Sequence, residues 1–175
     1  AGRTGAPPGA PPGATPDPAG APARMEEGPH CLMLLDLDGF KSVNDLFGHK
    51  AGDLLLVEVA QRLRQALPRG YVLGRLGGDE FAVLGRLCPA SLAPEREAAE
   101  LATRLTAAVA IPFTVCEAGR VGVSIGVFCD QSSGISASSG EMLSCADAAL
   151  YAAKRSGRNR FCLFDDTLRH QREVT

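Results

Sequence analysis

The pattern of apolar and polar positions changes at Cys31, where Cys31-Leu32-Met33-Leu34-Leu35 forms an unbroken apolar run that ends at Asp36. A run without alternation suits a central strand buried on both faces. Residues 40–47 then repeat with helical spacing and stop at Gly48, and a second helix is expected over about 51–67, with Leu56, Ala60, Leu63 and Leu67 along it. Residues 71–76 and 81–84 are short apolar runs on either side of Gly77-Gly78, glycines that supply the positive φ angles of a tight hairpin. Pro94 opens a helix with Leu101, Leu105 and Val109 on one stripe and Glu97 and Glu100 outward. Two strands are expected next, over 113–116 and 121–127, around a Glu117-Ala118-Gly119 turn. The second alternates, with Val121, Val123, Ile125 and Val127 on one face and Gly122, Ser124 and Gly126 on the other. A helix over about 139–156 ends at Gly157, and residues 160–164 make a closing strand. This order predicts an α+β domain, with helices flanking a mostly antiparallel central sheet.

The ends of the chain read differently. Residues 1–29 are dominated by Ala, Gly and Pro and have almost nothing to bury, so they are expected to be a disordered linker or tail. Residues 30–166 are expected to be the folded domain and 167–175 a C-terminal tail. The chain does not begin with Met, which suggests a piece of a longer protein with further domains upstream. Its 175 residues, 45% hydrophobic, suffice for one domain with a real core. A net charge of -2 with a pI near 5.9 argues against a general nucleic-acid binder, because no long basic stripe is present to neutralise a phosphate backbone. Cysteines stand at 31, 88, 116, 129, 145 and 162 without a CxxC pair, and most lie in apolar runs, as buried reduced thiols do. No run approaches the roughly 18 to 20 apolar residues of a membrane span, and no cleavable leader is visible. A soluble, cytoplasmic domain without membrane contact is the expectation.

The chemistry concentrates in a few residues. Asp79 and Glu80 are adjacent carboxylates directly after the Gly77-Gly78 turn, and Asp36 ends the first strand. Taken alone, Asp36 reads as a strand-end carboxylate capping the next helix, but paired with Asp79 and Glu80 it points to a bound cation. If the first strand neighbours the hairpin, three carboxylates converge with nothing basic in sequence placed to neutralise them. Gly39-Phe40-Lys41 opens the first helix, where backbone N–H groups can cradle phosphates and Gly39 permits close approach. Singly, Lys154 reads as a cation offsetting a helix C-terminal dipole, Asn44 and Asp53 as helix caps, and His49 as one partner of a local hydrogen bond.

DLDGFKSVNDLFGHKAGD over 36–53, RLGGDEF over 75–81, VSIGV over 123–127 and ADAALYAAKRSGRN over 146–159 together resemble the GGDEF family of diguanylate cyclases. The resemblance covers roughly residues 31–164 and implies a ferredoxin-like, nucleotidyl-cyclase palm fold. It implies condensation of two GTP into cyclic di-GMP with release of two pyrophosphates, each ribose 3′-hydroxyl attacking the α-phosphate of the other nucleotide. It also implies Mg²⁺ or Mn²⁺, a pair in each site, hard cations suited to oxygen ligands. By the family pattern Asp36 ligates metal through its side chain, Leu37 through its carbonyl, and Asp79 both ligates metal and helps deprotonate the attacking hydroxyl; Glu80 is a further ligand. Gly39, Phe40, Lys41, Gly77, Gly78, Lys154 and Arg158 correspond to the triphosphate contacts. Asn44 and Asp53 match the readers of the guanine edge, whose N1–H and 2-amino donors suit a carboxylate, and His49 stands at a substrate-associated place. Some relatives carry serine where Asp53 stands and accept adenine, so the carboxylate here implies strict GTP use. Because each subunit holds one GTP, the resemblance also implies a working homodimer and an upstream sensor domain.

Two features depart from that pattern. Most family members carry Arg-x-x-Asp shortly before GGDEF, an element that binds product and inhibits; here those places hold Pro68 and Tyr71, with Arg69 shifted by one. The Asp-x-Leu-Thr turn and helix that usually precede the first strand have no counterpart in residues 1–30. The alternatives are a catalytically silent GGDEF module that binds GTP and regulates a partner, and a different nucleotidyl cyclase or polymerase palm.

Overall fold

The computed structural model describes residues 29–88, 92–114, 121–130 and 137–171. Its elements in chain order are β1 (His30–Asp38), α1 (Phe40–Phe47), α2 (His49–Ala66), β2 (Val72–Gly77), β3 (Glu80–Arg86), α3 (Pro94–Ala110), β4 (Gly122–Asp130), α4 (Ser139–Arg155), β5 (Phe161–Leu163) and α5 (Asp166–Gln171). The sheet runs β2-β3-β1-β4-β5. All neighbours are antiparallel except β4 and β5, so the α+β, mostly antiparallel expectation holds.

The apolar run of β1 lies at the middle of the sheet because both of its faces are covered. Cys31, Met33, Leu35 and Leu37 point into one core with Leu55, Val59 and Leu63 of α2 and Leu101, Leu105 and Val109 of α3. Leu32 and Leu34 point the other way, onto Met142, Ala146 and Leu150 of α4. Each such side chain contributes about 1.5–3 kcal/mol of transfer free energy. Val123, Ile125 and Val127 of β4 join the first core, as their alternation predicts. The small residues on the other face of β4 serve a different purpose. A Cβ at Gly126 would collide with the Ala146 carbonyl and the Leu150 amide, so α4 rests backbone to backbone on the sheet there. Its start is fixed by a capping box: Ser138 Oγ accepts the Glu141 N–H at 3.3 Å and Glu141 returns a bond to the Ser138 N–H at 2.9 Å.

The structure departs from the sequence expectation in three places. Phe113 and Thr114 lie outside any strand, and the rest of the expected strand and its turn fall in 115–120, outside the described residues. Phe113 is instead buried beneath the Arg62 guanidinium, 3.9 Å from its ring centroid, while Arg62 donates to the carbonyls of Ile111 and Pro112. The chain leaving α3 is thereby capped by α2 rather than paired as a sheet edge. The stretch taken for a C-terminal tail begins in α5, whose first turn is nucleated by Asp165 accepting from the Thr167 and Leu168 amides at 2.9 and 3.2 Å. Among the described cysteines, all free thiols, only Cys31 and Cys145 are buried; Cys129 and Cys162 are half-buried and Cys88 is exposed. Burial pushes Cys31 up to about 11 and Cys129 up to about 12. Residues 1–28 and Cys116 lie outside the described residues.

Candidate active site

The C-terminal end of β1, the β2–β3 turn, the start of α1 and the end of α4 meet at one edge of the sheet. The strand register sets Asp36 directly opposite Glu80 on β3 and Ser124 on β4. The Leu37 N–H donates to the Asp79 carbonyl at 3.2 Å, which ties the hairpin tip to the strand that carries Asp36. The Leu37 side chain is buried, so only its backbone can reach the site. Gly78 adopts a φ of 51°, and its carbonyl accepts from Arg75 Nε at 2.9 Å, bracing the turn from outside. Asp79 is half-buried and Glu80 exposed.

A basic group does reach this acidic end, contrary to the sequence expectation. Lys154 Nζ stands 2.7 Å from Asp36 Oδ2, delivered by the last turn of α4 where that helix crosses β1. The expectation of three converged carboxylates is also modified. Among the described residues no three His, Cys, Asp or Glu side chains are gathered closely enough to hold an ion, because Asp79 sits in the turn while Glu80 faces solvent.

Beside this acidic end, Gly39 takes a φ of 85° and starts α1, with its carbonyl accepting from the Val43 N–H at 3.3 Å. Phe40 is half-buried against the core and Lys41 is exposed. The α1 N-terminus therefore opens towards the same edge as Asp36. Arg158 follows α4 in a left-handed turn with Asn159, φ 60° and 47°, and its Nε lies 3.9 Å from Asp38 Oδ1.

A second group lies on α1 and α2. The Asn44 side chain packs on Gly52, where a Cβ would collide with Asn44 Oδ1, so the small residue lets α1 bring Asn44 against α2 one position before Asp53. Asp53 lines a cavity of about 410 Å³ with Leu56, Ala60, Arg64, Arg75 and Phe81. Phe81 joins the two groups, being the residue after Glu80 and buried against Leu35. His49 is exposed at the start of α2, and among the described residues no contact places it at either group. Arg64 and Arg75 in the cavity were not anticipated as site residues. Asp38 was also missed, although the Asp-Leu-Asp spacing puts it on the same face of β1 as Asp36.

The position before the hairpin has its own arrangement. Tyr71 is half-buried, its ring covers Gly85, where any Cβ would collide with it, and its hydroxyl lies by the Cys31 thiol. Burial pushes the phenol well above its ordinary range.

Known proteins share the sequence pattern and the fold of this chain. The family profile described as diguanylate cyclase, GGDEF domain, matches residues 19–160. The bifunctional diguanylate cyclase/cyclic di-GMP phosphodiesterase MucR of Pseudomonas aeruginosa is 38% identical over 138 residues, 78% of this chain and 19% of MucR. The cyclic di-GMP phosphodiesterase PdeR of Escherichia coli is 38% identical over 139 residues, 76% of this chain and 19% of PdeR. The chain thus spans about a fifth of the length of these relatives. The solved GGDEF domain of TpbB from Pseudomonas aeruginosa superposes with a TM-score of 0.70 at 30% identity, covering 83% of each chain. The strand-end aspartate, the Gly-Gly-Asp-Glu hairpin and the matched fold lead to one conclusion: this chain belongs to the GGDEF family of diguanylate cyclase domains.

Proposed function

We propose that this domain is an active diguanylate cyclase that joins two GTP into cyclic di-GMP as a homodimer. The observation that carries this reading is the pairing of the Asp36 strand end with the Asp79–Glu80 hairpin through the β1–β3 register and the Leu37 to Asp79 bond. The donor set suits a hard divalent cation: carboxylates of Asp36, Asp79 and Glu80 with the Leu37 carbonyl. Mg²⁺ is usually held by one or two carboxylates plus substrate phosphates rather than by an all-protein cage, so the lack of a preformed three-ligand cluster among the described residues fits an ion that enters with the triphosphate. Bound there, Mg²⁺ or Mn²⁺, one ion or a pair, would lower the pKa of the ribose 3′-hydroxyl and offset charge on the α-phosphate and leaving pyrophosphate.

The chain's own groups do the rest. Asp79 accepts the proton of the 3′-hydroxyl. The N–H groups of the α1 N-terminus at Gly39, Phe40 and Lys41, with those of Gly77 and Gly78, bind the triphosphate together with Lys154 and Arg158. Asn44 and Asp53 read the guanine edge, and His49 contributes from the start of α2. A subunit that holds one GTP needs a second to face it, so the homodimer supplies the partner nucleotide. The match to a fifth of each relative supports a place within a longer protein, which on this reading is linked to a sensor and works in the cytoplasm.

Two expectations follow. Asp53→Ser removes the acceptor for guanine N1–H and N2–H, leaving those donors unpaired; the GTP-over-ATP preference in kcat/KM falls by about a hundredfold, within the range that a lost polar match gives. Competition of the two nucleotides in one assay measures this. Tyr71 occupies the place of the product-binding aspartate with a ring committed to Gly85 and a hydroxyl by the Cys31 thiol. Cyclic di-GMP titrated into the reaction therefore inhibits weakly, and potent non-competitive inhibition would refute that.

The test of the reaction itself is incubation with GTP and Mg²⁺ followed by chromatography at several protein concentrations. Cyclic di-GMP accumulating with a rate that rises as the square of protein concentration supports a dimeric cyclase. A second reading is a silent module that binds GTP and regulates a partner, and it suits the match to PdeR, which is named a phosphodiesterase and not a cyclase; nucleotide binding without any dinucleotide at high protein concentration would establish it instead.

A further inference from the structure

Asp38 lies two residues beyond Asp36 on the same face of β1, its side chain 12% exposed. It is more fully engaged than any acid of the site. Ser124 Oγ donates to it from β4, 2.9 Å from both carboxylate oxygens, and the Asn159 backbone N–H donates to Oδ2 at 2.9 Å. The segment it holds is Arg158–Asn159, two successive non-glycine residues with positive φ. Left-handed backbone at non-glycine residues is disfavoured and persists where the surroundings over-determine it. Here the Arg158 N–H donates to the Ala153 carbonyl at 3.1 Å, the Arg160 carbonyl accepts the Ile125 N–H at 2.9 Å, and Asp38 fixes the middle. Gly122 leaves the room for the Asn159 side chain, since a Cβ there would stand 2.7 Å from its Oδ1. Asp38, Gly39, Gly122 and Asn159 then line one wall of a cavity of about 370 Å³ at the start of α1.

We propose that Asp38 is a positioning residue for triphosphate binding, clasping the strained Arg158–Asn159 turn so that Arg158 faces the N-terminus of α1. The role rests on the guanine-nucleotide reading above and assigns to Asp38 no contact with substrate. Arg158 is 64% exposed and its own ion pair with Asp38 is loose, so the backbone bond at Asn159 carries the orientation. A flexible cation held by its backbone loses less entropy on gripping phosphate than one on a mobile turn.

The test compares a non-hydrolysable GTP analogue with GMP by equilibrium binding, in the presence of Mg²⁺, for the wild type, Asp38→Asn, Ser124→Ala, Arg158→Ala and the Asp38→Asn/Arg158→Ala double variant. Asp38→Asn weakens the triphosphate by about tenfold, as loss of a charge-assisted bond does, and changes GMP by less than about twofold, because its base contacts lie on α1 and α2. Arg158→Ala gives a similar loss, and the double variant loses no more than Arg158→Ala alone, the non-additivity of residues acting in series. Should Asp38→Asn fail to fold, Ser124→Ala, which removes one bond to the same carboxylate, shows the same selective loss at about threefold. Multiplicative losses, or equal weakening of both ligands, overturn the proposal. A wild type that binds neither nucleotide removes the underlying reading as well; a wild type that binds both, matched by Asp38→Asn and Ser124→Ala, removes the clasp alone.

Discussion

Asp36→Asn lowers the turnover of GTP by about a thousandfold or more while the protein stays folded. The side chain keeps its shape and loses its charge, so what disappears is an anionic oxygen suited to a hard cation, at the strand end beside the Gly-Gly-Asp-Glu turn. Divalent ions stabilise charge in phosphoryl chemistry by several kcal/mol, and about 4 kcal/mol corresponds to a factor of about a thousand. The variant also removes the partner of Lys154, whose ammonium stands 2.7 Å away in the wild type. With both side chains partly exposed, that pair contributes no more than about 1 kcal/mol, so the melting temperature moves little. Steady-state turnover beside a thermal melt checks both halves. Activity within tenfold of the wild type would remove Asp36 from the chemistry.

The largest expected effect on stability lies on the other face of the sheet. Gly126→Val destabilises the domain by about 3 kcal/mol, a fall of about 10 °C in Tm. The space for a side chain at that position is taken by α4 itself, at the Ala146 carbonyl and Leu150 amide, and a helix backbone cannot rotate away as a side-chain tip can. Moving α4 outward would uncover Leu32 and Leu34 and carry Lys154 away from Asp36. Activity is therefore lost along with stability. Calorimetry that shows Tm within 2 °C of the wild type, roughly the effect of less than 1 kcal/mol, would mean that α4 does not sit down on β4 at this point.

The same packing explains what the sequence could and could not reveal. The unbroken apolar run over 31–35 marks a strand covered on both sides, and β1 is central for that reason. Gly77-Gly78 between apolar runs marks the hairpin, and Gly157 marks the end of α4. These signals are local, and each reports its own few residues. Lys154 beside Asp36, Asp38 beneath Asn159, and Arg75 on the lining of the cavity that Asp53 also lines are juxtapositions across the chain, set by strand register and by the angle at which helices cross the sheet. Nothing in the local spacing of those residues encodes them. The first residue of the strand expected over 113–116 shows the reverse: Phe113 has strand character, but Arg62, far earlier in the chain, claims its ring and the neighbouring carbonyls. Tertiary contact overrode local propensity there.

The most direct measurement is the anomalous signal of Mn²⁺ in crystals grown with a non-hydrolysable GTP analogue. The account predicts an ion within about 2.2 Å of a carboxylate oxygen of both Asp36 and Asp79, also touching the nucleotide's phosphates. An analogue bound with its phosphates remote from these two side chains, or an ion held by neither, would contradict it.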